Sequence, residues 1–141
     1  MTIQEIQDTI IEEFRIFDDW LDKYQYIIDI SKELPLIDSE YKQEKYLIKG
    51  CQSQVWLFAE LHNNKIIYKA DSDAIVTKGI IALLIRVLSH RSPEEIMNVD
   101  LYFIKEIGLQ ENLSPTRSNG LLAMIKQMKL YAIAFNHTLE K

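Results

Sequence analysis

An α+β fold is what this chain predicts, and three features read in order predict it. Apolar residues recur at three- and four-residue steps through the N-terminal zone. β-branched and aromatic residues then crowd a stretch from about 46 to 70, and helix-start signals with long apolar stripes follow after 71. A period near 3.6 marks helices and β-branched or aromatic runs mark strands, so the order is helices, a small antiparallel sheet, then helices again. At 141 residues the chain is expected to form a single domain, 1–141, long enough to bury a proper core.

In the first zone Ile3, Ile6, Ile10, Phe14, Phe17 and Leu21 make an apolar stripe, with Glu5, Asp8, Glu12 and Glu13 largely on other faces. A second helix is predicted over about 19–31, carrying Trp20, Tyr24, Ile27 and Ile28. Leu34-Pro35 should end it, because proline restricts the residue before it.

Strand chemistry follows. Tyr46-Leu47-Ile48 is a short apolar run closed by Gly50, and Val55 to Leu61 is rich in β-branched and aromatic residues. Asn63-Asn64 tolerates the positive φ of a tight hairpin turn, and Lys65 to Ala70 is the returning strand. Three antiparallel strands are therefore expected, with the connection between the first two running through residues 49–54.

The C-terminal zone is helical. Asp71-Ser72-Asp73 offers capping groups ahead of a helix from Ala74 to about Ser89. Ser92-Pro93-Glu94-Glu95 has the hydroxyl, proline and glutamate of a capping box. Asp100 is expected to cap a short segment ending near Gly108. Ser114-Pro115 opens the last helix, with Leu121, Ile125, Met128, Ala132, Phe135 and Leu139 as its stripe.

Composition narrows the function. Apolar residues make up 48% and charged residues 26%, with a formal net charge of -5 and no basic stripe, so a nucleic-acid partner is not expected. The start Met1-Thr2-Ile3-Gln4-Glu5 has no basic n-region or apolar h-region, so no secretory signal is expected. The most apolar run, Ile80 to Ile85, is closed by Lys78 and Arg86 and falls far short of the roughly 20 residues of a membrane span. We expect a cytoplasmic protein without a membrane partner, as a monomer or weak homodimer.

Cys51 is the only cysteine. It cannot close an intrachain disulfide, it has no resolving partner for a dithiol cycle, and alone it makes a poor zinc site. Two readings remain: a silent core residue, or a thiol that works on another molecule. Its setting in Gly50-Cys51-Gln52-Ser53, a loop between strands with a permissive glycine beside it, favours the working thiol.

These residues also carry a resemblance. Gly50-Cys51-Gln52-Ser53-Gln54-Val55-Trp56 closely resembles the cysteine-loop motif of the SufE family of sulfur-acceptor proteins. Residues 71–79, from Asp71 to Gly79, look like the family's second motif, and Leu113 to Leu121 like its third. The three stand in family order with similar spacing over nearly the whole chain. Thr77 and Thr116 stand where related members vary or carry other small residues.

The resemblance implies the SufE or U-type scaffold fold and a carrier role. The chain would take persulfide sulfur from a cysteine desulfurase of the SufS or CsdA type onto Cys51. It would then pass it to an iron–sulfur scaffold complex, and it would also stimulate the desulfurase. It implies no cofactor of the chain's own, since pyridoxal phosphate belongs to the partner, and no metal. The turnover chemistry is the partner's, so the chain is not expected to be an enzyme. Gly50, Gln52, Ser53, Trp56, Asp73 and Arg117 are the expected loop and supporting residues.

Duller readings stand beside these. Trp56 on a strand reads as core packing, and Asp71, Ser72 and Asp73 as a helix cap. Arg117 falls in the first turn of a helix, where positive charge is mildly unfavourable, so it should have a partner. That partner is either Asp71 or Asp73, or the Cys51 loop. His62, His90 and His137 show no metal-ligand spacing and read as solvated or lightly packed imidazoles. A different class, a hydrolase or transferase with Cys51 as nucleophile, would need a histidine base, and His62 is the nearest candidate. A cluster scaffold would need more cysteine ligands than one.

Overall fold

The structure, a computed structural model, describes residues 1–139. Its elements run α1 (Ile3–Arg15), α2 (Trp20–Ile30), β1 (Val55–His62), β2 (Lys65–Ser72), α3 (Ile75–Leu88), α4 (Pro93–Asn98), α5 (Phe103–Glu106) and α6 (Pro115–Leu139). This is the predicted α+β order, with a two-stranded sheet where three strands were expected.

The N-terminal stripe divides between two helices. α1 starts at a capping box in which Thr2 and Glu5 satisfy each other's backbone amides, and it buries Ile3, Gln7, Ile10, Ile11 and Phe14. Asp19 caps α2 by accepting from the Asp22 amide. The break between the helices resets the phase, so Leu21 is exposed rather than continuing the stripe. α2 gives way to a single 3₁₀ turn, Ser31–Glu33, before Pro35.

β1 and β2 form a hairpin in strict register, from Val55 opposite Ser72 to His62 opposite Lys65. Asn63 (φ 51°) and Asn64 (φ 65°) both adopt positive φ, the two-residue turn whose twist matches paired strands. Val55, Leu57 and Ala59 of β1 and Ile66, Tyr68 and Ala70 of β2 face the core.

The expected first strand does not form. Glu44–Tyr46 is a 3₁₀ turn, and only Leu47 bridges Trp56. The reason lies in the preceding chain. It curls through two 3₁₀ turns that stack Tyr41 on Phe58, with ring centroids 4.2 Å apart, and set Tyr46 edge-on to both rings. Side-chain packing on the sheet's outer face thus takes up the apolar residues that would otherwise extend a ladder. At the opposite edge Ala70 exchanges hydrogen bonds with Pro35 and Ile37, and Ile66 bridges Arg91, so short bridges close both strand edges.

α3 is the centre of the molecule. Nearly every residue from Thr77 to Leu88 is buried, as expected for a helix that is apolar on all sides. It packs against α2, β2, α1 and α6. Gly79 is what permits the α2 crossing: a Cβ there would lie 2.2 Å from the carbonyl oxygen of Ile27.

Two capping expectations are corrected. Asp71 and Ser72 belong to β2, and Ala74 caps α3 with no side-chain hydrogen bond. The acidic groups have other partners: Asp71 pairs with Lys42 and Lys78, and Asp73 accepts from the Gln54 amide. Asp100 does not cap α5 either. The buried Gln7 of α1 accepts from the Phe103 amide (3.2 Å) and donates to the Asp100 carbonyl (3.2 Å). Ser92 and Glu95 do form the predicted capping box, and Ser114 Oγ accepts from the Arg117 amide at the start of α6 (3.3 Å). α6 buries Leu121, Met124, Met128 and Ala132, while Leu139 is exposed.

Candidate functional site

The connection from Ile48 to Val55 carries Cys51. Its ends are close together, since Ile48 donates to the Val55 carbonyl at 2.8 Å. Gly50 turns the chain at φ 96°, a region L side chains rarely adopt. At the far end Gln54 is held from β2. Its amide donates to Asp73 Oδ1 (3.1 Å), and its carbonyl accepts from Ser72 Oγ (2.8 Å) and from the Asp73 amide (3.3 Å). Asp73 is therefore a clamp on the cysteine loop rather than a helix cap.

Asp71 lies behind this clamp. Its carboxylate binds Lys42 (2.5 Å) and Lys78 (3.3 Å) and accepts from the Ser72 amide. Burial alone would raise its pKa, but the hydrogen bonds from Lys42, Ser72 and Lys78 outweigh it and hold the carboxyl below its usual value.

Cys51 is half-buried, with its Sγ 3.7 Å from the Gly120 carbonyl oxygen on α6. Burial pushes the thiol pKa above the ordinary value, and the carbonyl acceptor suits the protonated form. Gly120 lies directly against the sulfur: a Cβ there would sit 3.6 Å from Sγ, an ordinary van der Waals contact.

Beside the sulfur opens a cleft of about 230 Å³, between the loop and the N-terminal turns of α3 and α6. Its wall brings together Cys51, Gln52, Ser53 and Arg117 of the expected set, joined by Thr77, Ser114, Thr116 and Gly120, with Ile80 and Met124 as apolar members. Arg117 is exposed, and among the described residues its guanidinium makes no ion pair. Of the two partners considered for it, Asp71 and Asp73 are already engaged, and Arg117 lies at the Cys51 cleft.

Trp56 is not in that wall. It is half-buried on the outer face of β1, bridged to Leu47, with Lys42 Nζ 5.7 Å from its ring. Gly50 is also outside the wall and acts through the loop's path. Gly120, Thr77, Ser114 and Thr116 were not singled out as site residues from sequence. A glycine inside a predicted helix was the available signal, since its cost of about 1 kcal/mol against alanine usually answers to close packing.

His62 ends β1 at the hairpin turn, opposite Lys65. Seven residue steps along the strand, about 23 Å, separate it from Val55, so it lies at the other end of the sheet from the thiol. Among the described residues no group of three or more His, Cys, Asp or Glu side chains could hold a metal ion. No helix among them is long and apolar enough to cross a membrane.

Comparison with known proteins places this arrangement. In fold, the chain is similar to a hypothetical protein from Thermus thermophilus whose structure was determined in solution. The TM-score is 0.75 at 21% identity, covering 92% of this chain and 94% of that one. The family model of SufE, described as an Fe-S metabolism associated domain, matches residues 8–132. An uncharacterised SufE-like protein of Rhizobium etli is 38% identical over 127 residues, 86% of each chain. One from Synechocystis is 38% identical over 126 residues, 89% of this chain and 79% of that protein. SufE-like protein 1, chloroplastic/mitochondrial, of Arabidopsis thaliana is 41% identical over 112 residues, 79% of this chain but 30% of the plant protein. The chain belongs to the SufE family, and so to a domain class associated with iron–sulfur metabolism.

Proposed function

We propose that this chain is a sulfur carrier, with Cys51 as the acceptor. The Cys51 thiolate attacks the outer sulfur of a persulfide on a cysteine desulfurase of the SufS or CsdA type. A new S–S bond forms at Sγ, the donor's S–S bond breaks, and the donor cysteine leaves as thiolate. A nucleophile on an iron–sulfur scaffold complex then takes the outer sulfur and returns Cys51 to the thiol state. The chain also stimulates the desulfurase. It carries no cofactor for this, pyridoxal phosphate being the partner's, and it is an accessory protein rather than an enzyme with its own turnover. It works in the cytoplasm, as a monomer or weak homodimer.

One observation carries this reading: the chain's single thiol stands at the edge of a polar cleft on a loop fixed at both ends, in a member of a family tied to iron–sulfur metabolism. In this reading Gly50 sets the loop's turn and Asp73 clamps its far end. Gln52, Ser53 and Arg117 face the transferred sulfur, and Trp56 supports the strand that follows. The placement of His62 at the far end of the hairpin supports this reading over a hydrolase that would use it as base.

Intact-mass spectrometry after mixing the chain with a cysteine desulfurase and L-cysteine tests the proposal. A gain of sulfur, absent in Cys51→Ser and preserved in His62→Ala, is expected. No gain with any of several desulfurases, while Cys51 remains alkylatable, overturns it.

A further inference from the structure

Thr77 is the least explained side chain in the cleft. It is 7% exposed, and among the described residues its hydroxyl has no hydrogen-bond partner. A threonine in a helix ordinarily bonds the carbonyl four residues back. Thr9 and Thr138 do so here, to Glu5 at 2.9 Å and to Ala134 at 3.2 Å. Thr77 stands in the first turn of α3, so the residue four back is Asp73, outside the helix, and its hydroxyl makes no such bond. Nor is that hydroxyl sealed in protein: among the described residues Arg91 Nε is the one fully enclosed side-chain polar atom without a partner. Thr77 lines the cleft beside Cys51, and its hydroxyl is unbonded and not fully enclosed.

The cleft's charge indicates what an open hydroxyl would meet there. Among the described residues, Cys51 is the one titratable acid in its wall, Arg117 from α6 is the one cation, and no carboxylate lines it. A site with hydroxyls, one unpaired guanidinium and no acid favours an anion. An outer sulfur on Cys51 is such an anion, since hydropersulfides are more acidic than thiols, and the space beside Sγ readily holds one more sulfur atom.

We propose that Thr77 donates a hydrogen bond to the outer sulfur of a persulfide on Cys51, and that the cleft holds this sulfur as an anion beside Arg117. The proposal rests on Cys51 being a sulfur acceptor. Holding the outer sulfur as an anion protects it, because an attacking thiolate is repelled by the charge and needs the neutral S–SH form. Thr77 thus slows loss of sulfur to small thiols until docking changes the cleft.

The test loads the full chain with inorganic polysulfide, so that it does not depend on a desulfurase. The Cys51 thiolate attacks an S–S bond of the polysulfide and retains one sulfur as Cys51–S–S⁻, and the shortened polysulfide leaves with the displaced electron pair. Two readouts follow on wild type, Thr77→Val and Thr77→Ser: the pH midpoint for capping of the outer sulfur by iodoacetamide, and the rate of its removal by dithiothreitol at neutral pH. In Thr77→Val the midpoint should rise by about one pH unit, a tenfold change, as loss of one hydrogen bond to an anion implies. Removal should be several-fold faster, and Thr77→Ser should match wild type. Thermal melts check folding, and Thr77→Ala replaces the valine variant if that does not fold. Equal midpoints and rates in wild type and the hydroxyl-free variant overturn the proposal, as does a serine variant that behaves like valine. Failure of the wild type to take sulfur from any desulfurase would remove the carrier reading instead, leaving the polysulfide result to decide the role of Thr77.

Discussion

The chemistry at Cys51 is set by two opposed requirements. Nucleophilic attack needs thiolate, yet burial and the Gly120 carbonyl favour the thiol. Free Cys51 should therefore be a slow nucleophile at neutral pH, and in the carrier role proposed above a docking partner has to relieve the burial before transfer. The expected outcome is an iodoacetamide rate for the free chain that keeps rising above the ordinary thiol midpoint of about 8.5. A midpoint at or below that value would show the thiol to be already activated. The sign carries over to stability: a thiol whose pKa is raised on folding contributes fully below the unfolded midpoint, and that contribution is lost as pH rises through the folded one.

At the scale of elements, the site depends on how α3 is held. Its first turn supplies Thr77 and Lys78, and its position is fixed where Gly79 meets the Ile27 carbonyl of α2. In Gly79→Ala a Cβ would press on backbone that cannot rotate away. Better helix propensity returns about 1 kcal/mol, but overpacking costs more, so a net loss of about 2 kcal/mol is expected in chemical denaturation. Unchanged stability would mean that α2 can shift without penalty. The cysteine loop is tied to the same end of the molecule through Gln54 and Asp73. The hairpin that bears the loop is stiffened by its paired strands and by the aromatic cluster of Tyr41, Tyr46 and Phe58.

Across the whole molecule, one polar cluster joins three helices. Glu13 of α1 forms a two-point ion pair with Arg86 of α3 (2.7 and 2.5 Å) and accepts from the Tyr26 hydroxyl of α2. The hydrogen bonds from Arg86 hold the Glu13 carboxyl below its usual value. Burial, reinforced by the bond to Glu13, pushes the Tyr26 hydroxyl up to about 12. A depressed carboxylate adds stability above its unfolded pKa, and that stability is lost as pH falls through the folded value. Glu13→Gln should cost about 1–2 kcal/mol at neutral pH, less than the roughly 3–5 kcal/mol of a fully buried pair because both groups are partly exposed. The difference from wild type should shrink only as pH falls below the ordinary carboxylate range, through the depressed value at which Glu13 itself takes up a proton. A gap that persists at low pH would assign the loss to packing rather than charge.

The sequence by itself determined the order of elements, the tight Asn63-Asn64 turn, the capping box at Ser92 and the singular standing of Cys51. All of these are local: periodicity, turn chemistry, caps and a residue count act over a few positions and need no distant partner. The resemblance to the SufE family likewise lies in three short motifs, each local in sequence. Only the tertiary structure decided matters that depend on what meets what. The first expected strand became a 3₁₀ turn because Tyr41 and Tyr46 pack on Phe58. Asp73 turned from cap to clamp because Gln54 faces it, and Asp100 yielded α5 to Gln7, a residue ninety-six positions from the amide it accepts. The cleft itself joins a loop near residue 51 with helix starts near 77 and 117, so no stretch of sequence contains it. Local energies select each element, but a site is made where elements separated in sequence are packed together, and long-range packing has no periodic signature for a sequence to display.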